Sequence, residues 1–238
     1  MVNYVLKEYF VRYLRDVRQL KESSVKHYLD AIKYISKLLV SQGRINESLF
    51  EIHDVGELEI IKEYLKTDKE FIELDTRGHR MYSVGFNNYF RFASGEDFAK
   101  MNKSIEILDV KIQPDPIKTR LENYRNRSSI VKVQVIQYAK YQCEIDSNHK
   151  TFTTKSTNQQ YMEGHHAIPM KMQDSFKDSN LDVYANVICL CPVCHRRIHY
   201  GIDSEKKVLL DKIYHDRSGR LANSGIVLSR DEFYSINM

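Results

Sequence analysis

Five of the nine histidines and all four cysteines fall between Cys143 and His199, so metal or proton chemistry in this chain belongs there. The stretch contains YMEGHHAIPM and then VYANVICLCPVCHRRIHYG. His195 and His199 stand four apart, and on a helix residues at that spacing project from one face and can hold a common ion. His165 and His166 are adjacent, and on a strand neighbours point to opposite faces. One member of the doublet can then face the ion while the other lies beside it, unligated. Ligands for a Lewis acid next to an imidazole that can take a proton from water are what a hydrolytic site requires.

The cysteines suggest a second, structural ion. Cys191 and Cys194 form C-x2-C, half of a tetrahedral zinc site. Upstream, Cys143 supplies a third ligand, and His149 or Asp146 the fourth, with His149 preferred because three thiolates and an imidazole are a common zinc set. Cys189 shares a strand face with Cys191 and is read as a small core residue. Cys191–His195 also fits the C-x-x-C-H pattern of haem attachment. That reading would leave His165, His166, Asn186 and His199 unexplained and is set aside.

These groups need elements to hold them. Tyr161 to Pro169 and Val187 to Leu190 are predicted strands, and Cys194 to Tyr200 a short helix stopped by Gly201. Strand, long loop, strand, helix is the order of a ββα metal finger. The first 110 residues are predicted as helices. Val5, Leu6, Tyr9, Phe10, Tyr13, Leu14 and Val17 mark one, and Val25, Tyr28, Leu29, Ile32, Ile35, Leu38 and Leu39 mark another. The second would be capped by Ser23 or Ser24 and closed by Gly43. Asp54 with Glu57 and Thr67 with Glu70 are capping-box signals, and a further helix runs from about Met81 to Phe92 before Gly95. Pro114 and Pro116 disfavour helix around them. The expected layout is therefore α+β: an all-helical domain at 1–110, a linker at 111–128, and a second domain at 129–238 that opens with a helix from Ser129 to Lys140.

The ordered set His165-His166, Asn186, His195 nine residues later, and His199 four beyond that resembles the HNH nucleases, which include the nuclease domains of colicins and many restriction enzymes. CPVCHRRIH is similar to the cysteine-containing branch of that family. The resemblance covers roughly residues 143–200. It implies a ββα-metal domain with a structural zinc at Cys143, His149, Cys191 and Cys194, and hydrolysis of DNA phosphodiester bonds by a restriction or defence nuclease. His166 would be the general base, and His165, His195 and His199 would hold one divalent ion. Magnesium, manganese or another transition ion is expected there, three imidazoles favouring the transition ions. Asn186 would hold backbone groups of the long loop, and Arg196 or Arg197 would contact phosphate. The implied substrate is double-stranded DNA. The alternative, a non-catalytic zinc-stabilised DNA-binding module, gives no reason for His166 beside a three-ligand set, and a toxin nuclease would bring a secretion or receptor-binding segment.

Charge supports a polyanion partner. The net charge is only +4, but residues 1–44 carry nine Lys/Arg against four Asp/Glu, residues 45–75 three against ten, and residues 111–238 nineteen against fourteen. Within the first block, SSVKHYLDAIKYISKLL resembles the second helix of the DNA-clamping domain of tyrosine recombinases, while a generic bundle that forms a homodimer suits the same pattern. Lys212, Arg217 and Arg220, on a predicted helix after the histidines, are further candidates for backbone contact. No apolar run reaches the roughly 20 residues of a membrane span, and the opening MVNYVLKEYFVRYLRDV has charges where a signal peptide would be apolar. A cytoplasmic location is expected.

Overall fold

A computed structural model describes residues 4–115 and 129–238. Among the described residues the chain is mostly helical with one two-stranded sheet, and it divides into two compact units. Of the described residues, unit 1 comprises 4–97 with 129–130, and unit 2 comprises 98–115 and 131–238. The segment 98–115, which spans the end of the expected helical domain and the start of the expected linker, packs with unit 2. The reason is visible in its contacts: Phe98 lies against Tyr184, Ile112 accepts from the Asn180 amide, and Asp109 receives the Arg220 guanidinium. Residues 116–128 of the expected linker lie outside the described residues.

Unit 1 is built from α1 (Val5–Arg12, continued by a π turn at Tyr13–Val17), α2 (Glu22–Ser41), α3 (Val55–Thr67), α4 (Lys69–Arg77) and α5 (Met81–Ser94). Its core is aromatic. Phe10, Phe50 and Tyr89 meet edge to face or tilted at 5.0–6.3 Å, and Tyr13 and Phe92 extend the cluster. α2 runs close against α5 because Gly85 has no side chain; a Cβ there would stand 2.5 Å from the Cβ of Ala31. Helix starts depart from the predicted caps in two places. α2 begins at Glu22, which forms a bidentate pair with Arg15, rather than after Ser23 or Ser24. Asp68, not Thr67, caps α4 by accepting from the Phe71 amide.

Unit 2 takes in α6 (Ser129–Tyr138) from Val131 onward, β1 (Glu163–His166), β2 (Val187–Leu190), α7 (Pro192–Tyr200), α8 (Asp203–Asn223) and α9 (Arg230–Asn237). The strands are antiparallel, pairing Glu163 with Leu190, Gly164 with Cys189, His165 with Ile188 and His166 with Val187. Between them, the loop from 167 to 186 buries Leu181, Val183, Tyr184 and Ala185. A buried loop must satisfy its backbone internally, and polar side chains do this. Gln173 accepts from the Leu181 amide and donates to the carbonyls of Phe176 and Ser179, and Asn180 accepts from the Asp182 amide.

Two of the three charges suggested for DNA contact on α8 have other employment. Arg217 is 3% exposed; it bonds the Glu144 carboxylate and the Tyr184 carbonyl. Arg220 forms a bidentate pair with Asp109 at 2.6 and 3.1 Å. Only Lys212 is exposed, and it meets Asp216. The other Glu144 oxygen accepts from the Cys189 amide, so Arg217 braces β2 through one carboxylate. Arg217→Ala is expected to lower the unfolding free energy by about 3 kcal/mol, the low end for a broken buried pair because Glu144 is partly exposed. A denaturant titration checks this; an unchanged midpoint would show that the pair braces nothing.

Candidate functional site

Two ligand clusters form around α7. In the first, donor atoms of His165, His195 and His199 all lie within 4.8 Å of one another. His195 and His199 come from successive turns of α7, and their Nε2 atoms stand 3.2 Å apart. Two ligands on one tetrahedral ion with bonds of about 2.1 Å would be separated by roughly 3.4 Å. The His165 ring reaches the same point from β1, its centroid 5.0 Å from His195 and 5.1 Å from His199. Three imidazole nitrogens converging in this way suit a divalent transition ion.

His166 leaves β1 on the opposite face and is not in that cluster. It is buried, and its Nε2 lies 2.9 Å from Oδ1 of Asp182, itself buried in the long loop. Asn186 is fully buried and uses its whole amide. Its oxygen accepts from the Ile168 N–H at 2.7 Å, and its nitrogen donates to the carbonyls of Ile168 and Leu181 at 2.9 and 2.8 Å. Together with the Ala167 amide on the Asn186 carbonyl, these bonds fasten the start of the loop, just after His166, to its far end at Asn186 and Leu181.

Sequence reasoning missed Glu163 and Asp182. Glu163 opens β1, and one of its oxygens sits 2.5 Å from Nδ1 of His195 while the other accepts from the Tyr161 hydroxyl. A carboxylate behind a ligating imidazole fixes its tautomer and aims its other nitrogen at the ion. Burial works against ionisation of Glu163. The bonds from His195 and Tyr161, with the nearby charges of His195 and Arg196, outweigh it and hold the carboxyl below its ordinary range. Position offers a signal for Glu163, two residues before His165 and hence on the same strand face. Asp182 lies in irregular chain, where spacing carries no directional information.

The second cluster holds Cys143, His149, Cys191 and Cys194, with ligand atoms within 4.8 Å of one another. Nδ1 of His149 is 3.5 Å from the Cys191 sulfur and 3.4 Å from that of Cys194. Bonds of about 2.3 Å to sulfur and 2.1 Å to nitrogen place tetrahedral ligands at much the same spacing. Asp146 stands behind, 3.8 Å from Nε2 of His149. The bond between the Cys194 and Cys143 thiols, aided by backbone amides and His149, holds the Cys143 thiol below its ordinary range and pushes Cys194 up. Cys189 is buried outside the cluster; burial first, then the negative charge of Glu144, raises its thiol well above the ordinary value. Cys194→Ser is expected to abolish stoichiometric zinc, measured by atomic emission, and to loosen unit 2 in near-ultraviolet circular dichroism, since structural zinc can supply roughly 10 kcal/mol of folding free energy. A variant with full zinc and an unaltered spectrum would exclude the zinc role.

Residues 147–201 match the HNH endonuclease family model. The chain is 32% identical over 95 residues to the type IV methyl-directed restriction enzyme EcoKMcrA of Escherichia coli K12, a match covering 40% of this chain and 31% of that relative. No solved structure matches the chain. The matched stretch takes in His149, both strands and α7, and over residues 147–201 the chain therefore carries a domain of the HNH endonuclease family.

Proposed function

We propose that the protein is a divalent-metal-dependent endonuclease that hydrolyses double-stranded DNA, of a restriction or defence type. The observation that carries this reading is the separation of the doublet: His165 joins a three-imidazole cluster while His166 turns away and is held by a carboxylate. A zinc-stabilised binding module would need neither arrangement. The likeness to a methyl-directed restriction enzyme supports DNA as the substrate. No helix among the described residues is long and apolar enough to cross a membrane.

His165, His195 and His199 would hold the ion, with Glu163 fixing the His195 ring. When bound, a divalent ion supplies Lewis acidity that stabilises charge on the phosphate and on the departing 3′ oxygen. The remaining chemistry belongs to His166. With Asp182 accepting from Nε2–H, the basic lone pair is on Nδ1, which takes a proton from water as its oxygen bonds to phosphorus and the bond to the 3′ oxygen breaks. The departing 3′ oxygen takes a proton from solvent, and the products are a 5′-phosphate and a 3′-hydroxyl. Asp182 orients the ring and stabilises the imidazolium that forms, as the carboxylate of a catalytic triad does. Asn186 touches no reacting atom; it positions His166 by fixing the backbone beside it.

Unit 1 would select or position the DNA, or pair two copies so that both strands are cut. Lys26, Lys33 and Lys37 are exposed and, at spacings of seven and four, share one face of α2, which favours the DNA-facing role.

Two measurements test these assignments. Supercoiled plasmid should be cut with magnesium or manganese and spared with chelator, and His166→Ala should lose about 10²–10⁴-fold in rate while keeping its metal content. Cutting by that variant at the wild-type rate would remove His166 from the mechanism, and DNA binding without cutting under any divalent ion would favour the binding module. Reversing Lys26, Lys33 and Lys37 to Glu should weaken DNA binding and flatten its dependence on salt by roughly two to three counterions; an unchanged salt slope with altered sedimentation would assign the face to pairing instead.

A further inference from the structure

Residues 151–161 form a hairpin that closes just before β1. Thr153 bridges Gln160, the Tyr161 amide donates to the Phe152 carbonyl, and the Thr154 amide donates to Gln159. Side chains stiffen it further: Thr151 donates to the Tyr161 carbonyl, and the hydroxyls of Thr154 and Thr157 meet at 2.5 Å. The Phe152 ring is stacked on Tyr161 at 4.9 Å and 12°, yet it remains 64% exposed. Single exposed apolar residues are ordinary. This one differs in being held flat on a second ring whose hydroxyl bonds Glu163, the carboxylate that holds His195.

The surroundings indicate the occupant. From Ser147 to Met162 there is no acidic residue, while Lys150 and Lys155 are exposed. Arg196 is near enough to act electrostatically on Tyr161 and Glu163. The nearby carboxylate, Glu163, is taken up by Tyr161 and His195, and a rigid aromatic surface beside exposed lysines suits a polyanion with flat apolar faces, a chemistry that nucleobases on a phosphate backbone have.

We propose that Phe152 is a DNA-contacting residue that stacks on a base, or wedges at a base step, next to the phosphate being cut, with Tyr161 as its backing. Aromatic side chains inserted at base steps unstack and kink a duplex, and here the contact would fix the DNA against the ion site through Tyr161, Glu163 and His195. The assignment rests on the nuclease reading and deepens it.

The test compares the full-length protein with Phe152→Ala, Phe152→Leu and Phe152→Trp on two substrates. One is duplex DNA, and the other is bis(p-nitrophenyl) phosphate, a diester without bases. Phe152→Ala should raise KM for DNA about tenfold or more, leave kcat and zinc content near wild type, and leave hydrolysis of the small diester unchanged. Trp should restore the KM and Leu should not. An unchanged KM for DNA would overturn the proposal. Equal losses on both substrates would overturn it in favour of a purely supporting role for the Tyr161–Glu163 chain, and a change in sedimentation would assign the surface to a second copy. If the wild type hydrolyses neither substrate, the nuclease reading fails by itself; gel-shift affinity of the same variants for DNA then decides on Phe152, equal affinities rejecting it.

Discussion

The antiparallel pairing of β1 with β2 is the constraint on which the candidate site depends. In the observed register His165 lies opposite Ile188 and His166 opposite Val187, and because strand side chains alternate, two chemically identical residues are sent to different surroundings. A slip by one residue would exchange their faces, putting His166 among the ligands and His165 toward Asp182. Two four-residue strands are a weak device for holding such a register, so it has to be fixed from outside the sheet.

The outside supports are polar, and Asn186 and Arg217 among them are buried. Asn186 ties the residues after His166 to the far end of the loop, and Glu144 bonds the Cys189 amide while carrying Arg217 on its other oxygen. Each brings buried polar groups that would be costly if left unsatisfied, so each defines one arrangement and penalises its neighbours. The Arg217 side chain illustrates why charge alone misleads. On α8 it looks like a solvated DNA contact, but the surrounding chain desolvates it and lowers its pKa, with Glu144 opposing that shift.

What was legible in the sequence follows from the range of the interaction. His195 and His199 are separated by one helical turn, His165 and His166 by one strand step, and Cys191 and Cys194 by a cap, since the Cys191 sulfur accepts from the Cys194 amide. Local geometry determines those relations, and β2 could be placed to the residue. Glu163 meets His195 across 32 positions, Asp182 meets His166 across 16 through an irregular loop, and Glu144 meets Arg217 across 73. Nothing periodic links such pairs. The segment 98–115 was opaque for the same reason, because its place in unit 2 depends on Tyr184, Asn180 and Arg220, all distant in sequence.

α7 joins the two ligand clusters mechanically. Cys191 caps it, Cys194 faces the sulfur cluster from its first turn, and His195 and His199 face the imidazole cluster from the next residues. A helix of nine residues is marginal without tertiary support. The sulfur cluster fastens one end of it to Cys143 and His149, and Glu163 fastens its flank to β1. Zinc held at the cysteines would therefore set the angle at which His195 and His199 approach His165. The two ions would differ in task while sharing one rigid element, so the structural ion would govern the affinity of the other site without contributing any atom to it.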